Sequence, residues 1–203
     1  MHPMEVLVTA ALLFLVVGGV GMFFSIYNSL VALKNSVGRS WANIDVLLKQ
    51  RHDELPKLVS TCEGYMQHER AVFDQLSQAR NAVARANSIG ERSAAEGKLT
   101  QALGSFFAVM EAYPDLKANT GFLQLQSRIS ELENQIADRR EYYNDTVTTF
   151  NTRIQQIPDS LVAGWLSLTP AELFKVAEAD KQDVQISFKA EGRRIGRASR
   201  AWA

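Results

Sequence analysis

The sequence predicts an all-α protein: one N-terminal transmembrane helix followed by an antiparallel, up-down four-helix bundle of long helices. Three observations carry that expectation. No charged residue occurs from Val6 to Leu33. Behind that stretch, apolar residues recur at steps of three and four, the beat of one buried helical face. Only five prolines and twelve glycines punctuate 203 residues, 46% of them hydrophobic, a composition that suits packed helices better than disorder.

The first element is the anchor, residues 1–26. Its densest part, Val6 to Ile26, is 21 residues long, and 13 of these are Val, Leu, Ile or Phe. At about 1.5 Å per residue it is long enough to cross a hydrocarbon core. Val6, Leu13, Phe14, Val17, Val20 and Phe24 are the expected membrane-spanning residues. A cleaved signal peptide is the competing reading, but it requires a basic leader and a small-x-small cleavage site, whereas the leader here is Met-His-Pro-Met-Glu and the run ends in Phe23-Phe24-Ser25-Ile26-Tyr27. Lys34 and Arg39 follow the span and no cation precedes it, so the N-terminus is expected outside and the rest of the chain in the cytoplasm, at the bacterial inner membrane.

The bundle is expected over residues 27–157. Ile26, Leu30, Leu33, Val37, Trp41, Ile44 and Leu48 continue the anchor helix beyond the membrane. Pro56, which has no amide hydrogen and suits the first turn of a helix, predicts a turn near residues 51–55 and a second helix from Pro56 to Asn87. A kink within one very long helix is the alternative. The inward residues of the second helix would be Leu58, Cys62, Tyr65, Val72, Leu76, Ala79 and Val83, with Ser88-Ile89-Gly90-Glu91 closing it. A third helix is expected from Ala94 to Tyr113, stopped by Tyr113-Pro114. The fourth is the most regular, carrying Phe122, Leu125, Ile129, Leu132, Ile136, Tyr143, Val147, Phe150, Ile154 and Ile157 in heptad register.

An up-down order returns the chain to the bilayer after the fourth helix. Residues 158–175 are therefore expected as an apolar membrane-proximal segment, with Leu161, Val162, Trp165, Leu166 and Leu168 in contact with the membrane surface or capping the open end of the bundle. Residues 176–203 are expected as a basic tail, in which the stretch from residue 189 on carries Lys189, Arg193, Arg194, Arg197 and Arg200 against Glu191 alone, suited to anionic lipid or to water.

These residues resemble the LemA family of bacterial membrane proteins. The resemblance is carried by Tyr27-Asn28-x-Leu30-Val31-x-Leu33, by Trp41-Ala42-x-Ile44-Asp45-Val46-x-Leu48-Lys49-x-Arg51, and by Pro56-x-Leu58-Val59, His68-Glu69 and Ala79-Arg80. It continues through Glu111-x-Tyr113-Pro114-x-Leu116-Lys117-Ala118-Asn119, Phe122-Leu123-x-Leu125-Gln126, Arg139-Arg140-x-Tyr142-Tyr143-Asn144, Val147-x-x-Phe150-Asn151 and Leu161-Val162-Ala163-Gly164. It covers about residues 25–175; Gln50 and Phe150 depart from the usual basic residue and Tyr. It implies an N-out anchor with a cytoplasmic helical bundle, no established enzymatic activity, and links to membrane organisation, to magnetosome formation in one branch and to membrane proteases.

Chemistry-bearing patterns are sparse. His2, His52 and His68 are scattered, so no metal site is expected. No phosphate-cradling or nucleophile-elbow motif occurs, and no cofactor or small-molecule substrate is expected. Cys62, the single cysteine, lies on an apolar helical face and reads as core. Asp45 and Lys49 are spaced as an ordinary helix ion pair. Arg139, Arg140, Tyr142, Tyr143 and Asn144 interrupt an otherwise clean seam, either as a hydrogen-bonded network that fixes register or as a partner-binding face. With 22 basic and 22 acidic residues a nucleic-acid partner is not expected. The expected function is a non-catalytic membrane scaffold or interaction protein that self-associates. Its partners would be lipid and further copies or other membrane proteins. The alternatives are a lipid-binding or membrane-shaping module and an accessory subunit of a membrane protease.

Overall fold

The computed structural model describes residues 3–66 and 68–175, and every regular element among them is helical. The basic tail and His2 lie outside the described residues. Six helices follow in order: α1 (Pro3–Glu63), α2 (Arg70–Arg85), α3 (Ile89–Met110), α4 (Pro114–Lys117), α5 (Thr120–Arg153) and α6 (Asp159–Trp165).

α1 has 61 residues, about 90 Å of unbroken helix. Its first third is apolar and exposed on every side, with Leu13, Phe14 and Val17 all open, and it is long and apolar enough to cross a membrane. Beyond Phe24 one face turns inward: Ile26, Leu30, Ile44, Leu48, Arg51, Leu55, Leu58 and Cys62 are buried.

The turn expected at residues 51–55 is absent, because Pro56 lies inside α1. Proline in a helix interior costs about 3 kcal/mol. Pro56 is exposed, so water can serve the carbonyl it leaves without a partner, and Leu55, Leu58 and Cys62 continue the buried face past it. Burying three such side chains, at about 1.5 to 3 kcal/mol for each of the larger ones, outweighs the break. The chain turns instead at residues 64–69, where Tyr65, expected inward, is exposed. The second helix is thereby shortened to α2.

α3 starts at Ile89, five residues before the expected position. Ser88 caps it by accepting from the Glu91 amide at 3.1 Å, and the Glu91 carboxylate accepts from the Asn87 amide at 3.0 Å. The Ser88-x-x-Glu91 pattern, expected to close one helix, opens the next in a variant of the capping box whose return bond falls on the residue before the cap. Asn119 caps α5 in the same way, accepting from the Phe122 amide at 3.1 Å. α5 ends at Arg153, and Ile157, expected on the inner seam, is 84% exposed in the turn that follows.

Contacts fix the directions. Tyr143 of α5 meets Trp41 of α1 at 5.5 Å between ring centroids, and Arg153 donates to Ser29 at 3.3 Å. α5 therefore retraces α1 toward the apolar third. Arg92 of α3 pairs with Asp45 at 2.7 Å and Met110 touches Cys62 at 3.7 Å, so α3 climbs alongside α1. α2 descends against α3, with Phe73 and Phe106 edge to face at 5.6 Å. The apolar interior falls into three clusters along the length of the molecule. The far end is filled by Leu58, Leu76, Leu99, Phe106 and Phe122, the middle by Ile44, Leu48, Tyr143 and Phe174, and the near end by Ile26, Leu30, Phe150 and Val162.

Candidate functional site

The seams of α1, α3 and α5 meet at mid-height around Arg51, which is 1% exposed. Its guanidinium pairs with Glu96 of α3 and Glu133 of α5 and donates to the Thr100 hydroxyl at 3.0 Å. Thr100 in turn donates to Glu133 at 3.1 Å. Arg92 extends the network: it pairs with Asp45, lies 3.9 Å from Glu96 and sits over the Trp41 ring at 5.9 Å. Asp45 is thus engaged across the helices rather than with Lys49. Burial holds the Glu96 carboxyl above its ordinary range, and Arg51 pulls it back down. A charge in a low-dielectric interior persists only when paired. The arrangement therefore admits only the register that brings three helices to Arg51. A cavity of about 160 Å³ opens beside it, lined by Arg51, Glu96, Glu133, Arg140 and Phe174 among others.

Immediately next to this centre, the chain after α6 returns as an extended strap. Asn151 and Asn144, one heptad apart on α5, each grip its backbone from both sides. Asn151 donates to the Ala171 carbonyl at 3.0 Å and accepts from its amide at 2.8 Å. Asn144 donates to the Phe174 carbonyl at 3.0 Å and accepts from its amide at 2.9 Å. The Tyr143 hydroxyl donates to the Glu172 carbonyl at 2.8 Å, and burial pushes its pKa up. The Glu172 carboxylate accepts from the Gly90 amide at 3.1 Å, and the Ser93 hydroxyl donates to the Lys175 carbonyl. Phe174, 2% exposed, packs 5.8 Å from the Trp41 ring in the cluster that also holds Tyr143. An unpaired buried amide or carbonyl costs about 1 to 3 kcal/mol, so two asparagines that satisfy four such groups are the natural fastening for a strand with no sheet to join.

The five residues that interrupt the α5 seam are thus divided. Tyr143 and Asn144 hold the strap, Arg140 borders the cavity, and Arg139 and Tyr142 face outward. Arg139 lines a shallow open groove between α1 and α5 with Asn43, Val46, Leu47, Gln135 and Asp138. Val46 and Tyr142 are both exposed.

At the near end, Val6, Leu13, Phe14, Val17, Val20 and Phe24 are all exposed. α6 is two-sided. Val162 is buried with Ala163 against Ile26, Leu30, Phe150 and Ile154, and Leu166 and Leu168 are partly buried on that cluster. Leu161 and Trp165 face out, 73% and 69% exposed. Asp159, largely buried, pairs with Arg153.

Cys62 is fully buried, and burial raises its thiol to about 12, so the thiolate nucleophile is suppressed. His52, inside α1, is lowered by burial and by Arg80, while His68 is exposed. Among the described residues no group of three His, Cys, Asp or Glu side chains could hold a metal ion. Sequence reasoning missed Arg51, Glu96, Glu133, Asn151 and Phe174. A signal for two of them exists: Arg51 falls in the series Ile44, Leu48, Leu55, Leu58, and Glu96 in the series Leu99, Leu103, Phe106. Opposite charges on two apolar seams are the mark of a buried pair.

A helix that is apolar all round over its first third and continues into a helical body fits a membrane-associated protein, helical in every regular element among the described residues. The chain belongs to the LemA family, whose model matches residues 40–188. It is similar to Protein LemA of Metamycoplasma hominis, 28% identical over 174 residues that cover 83% of this chain and 79% of that one. It is also similar to Magnetosome protein MamQ 2 of Paramagnetospirillum magneticum, 23% identical over 175 residues that cover 73% of this chain and 64% of the relative. Magnetosome protein MamQ of Magnetospirillum gryphiswaldense is 22% identical over 158 residues that cover 65% and 58%, respectively. The alignments span less than two thirds of either magnetosome protein.

Proposed function

We propose that this chain is a non-catalytic, single-pass scaffold of the bacterial inner membrane, with its N-terminus outside and an up-down four-helix bundle in the cytoplasm. That bundle consists of the second part of α1 together with α2, α3 and α5. The observation that carries the reading is the continuity of α1, which passes without a break from an apolar, exposed third into the helical body. A bundle built on its own anchor helix is stiffly coupled to the bilayer, as a scaffold requires and a tethered enzyme does not. Lys34 and Arg39 after the span support the orientation. The buried ionisable groups at the centre are engaged with one another, which supports a structural role over a catalytic one. Two relatives bear the name magnetosome protein, in keeping with a family that works at membranes.

Self-association is assigned to the open groove between α1 and α5. Val46 supplies exposed apolar surface there, Tyr142 is exposed one helical turn beyond the groove's Asp138 and Arg139, and that acid-base pair is self-complementary across a two-fold axis. Extraction into mild detergent followed by mass measurement tests this. The expected result is a dimer or larger species that Val46→Asp reduces to monomer. A strict monomer with no co-purifying protein overturns the scaffold reading.

A further inference from the structure

α6 has more apolar surface than it needs to cap the helical body. Its inner face is complete, with Val162 and Ala163 closed onto Ile26, Leu30, Phe150 and Ile154. Its outer face carries Leu161 and Trp165, one helical turn apart and exposed by 73% and 69%, and Ile157 in the turn before it is exposed by 84%. Three large apolar side chains open to their surroundings at one end of the molecule form the kind of patch that marks an interaction site.

The patch continues the surface of the apolar third. The Trp165 ring meets Phe23 at 5.6 Å and Tyr27 at 6.4 Å between centroids, and Phe24 beside them is 58% exposed. From Val6 to Phe23 is 17 residues, about 26 Å of rise, against a hydrocarbon core of about 30 Å. Trp165 therefore stands at the edge of the hydrocarbon, the level at which Trp and Tyr concentrate in membrane proteins. The surface is also nearly free of charge. Between Ile154 and Ala171 the sequence holds one ionisable residue, Asp159, and it is neutralised by Arg153 and largely buried. Lys34 lies about 16 Å of helix rise beyond Phe23.

We infer that α6 is a second membrane contact, in which Ile157, Leu161 and Trp165 enter the lipid interface by apolar insertion and do not depend on anionic headgroups. The inference rests on the reading that α1 crosses the bilayer. It deepens that reading: a body held by one helix can tilt about it, whereas a body held by α1 and by α6 beside it is fixed in tilt and rotation.

A spin label placed by Leu161→Cys tests the contact in the full chain, reconstituted into phosphatidylcholine vesicles. Cys62 need not be removed, since it is buried and its thiol is raised to about 12. Labels at Leu13→Cys and Ser127→Cys, the latter exposed near the far end of α5, serve as the deep and aqueous references. Collisions with oxygen are expected to exceed those with a water-soluble nickel complex at Leu161, as at Leu13 and unlike Ser127. The ratio should be unchanged by 1 M salt or by vesicles that contain phosphatidylglycerol. A Leu161 label in water with Leu13 still deep overturns the second contact and leaves the span standing. Labels at both positions in water overturn the span as well. Lipid exposure of Leu161 that appears only with anionic lipid, or is lost in salt, overturns apolar insertion.

Discussion

The two parts of α1 are one helix built for two solvents. From Val6 to Met22 every side chain is exposed, and the segment is apolar on all sides. From Ile26 to Cys62 a single face is buried, and its centre is a charge, Arg51. In the first part nothing among the described residues selects which side faces where, and a Cβ added at glycines 18, 19 or 21 would meet nothing within 4 Å. In the second, a three-way ion cluster selects one register. The comparison teaches that periodicity and polarity are judged against the surroundings: an apolar residue is indispensable to the first part for what it excludes, and a buried arginine to the second for what it demands.

The sharpest way to break the comparison is to remove that demand. Arg51→Met leaves Glu96 and Glu133 without their shared cation and is expected to destabilise the fold by about 3 to 5 kcal/mol, read from thermal melts in detergent. The deficit should depend on pH. Glu96 already titrates above its ordinary range because of burial, and without Arg51 it rises further. A carboxyl raised on folding stabilises the fold below its unfolded pKa, and that contribution is lost as pH rises through the folded value. The deficit is therefore smallest near about pH 4 and grows toward about pH 7. Glu96→Gln in the same background should flatten this dependence.

The mirror experiment charges the other part. Phe14→Arg is expected to cost membrane insertion about 3 kcal/mol, roughly a hundredfold in partition, measured by membrane fractionation. The melting of the helical body should be unaffected. A smaller effect refines the second part by separating the strap from the ion cluster. Asn144→Ala strips the Phe174 amide and carbonyl of their partners and is expected to cost about 1 to 3 kcal/mol. Rapid exchange of the Phe174 amide hydrogen should accompany a largely intact body.

The long repeats were legible. The α5 seam from Phe122 to Ile154, the apolar third of α1 and the burial of Cys62 all follow from composition and spacing, because each is one residue type repeated over many turns. The end of α1 was not, since Pro56 is a strong local signal overruled by tertiary burial of Leu55 and Leu58 on either side of it. Ser88 to Glu91 reads as a closing turn as readily as a helix start, because the two share residue types. The polar character of the Arg139 to Asn144 interruption is plain in the sequence, whereas its partner is not. An extended strap has no period, and Phe174 is a lone aromatic until the fold carries it beside Trp41.

The strap also fixes where the described chain ends. Lys175 is fastened at Ser93, on the level of Arg51 and Leu48. That is 24 residues of α1 above Phe24, or about 36 Å. The described chain therefore ends high on the flank of the molecule, more than the thickness of a hydrocarbon core from the apolar third of α1, at a level set by two asparagines and a phenylalanine.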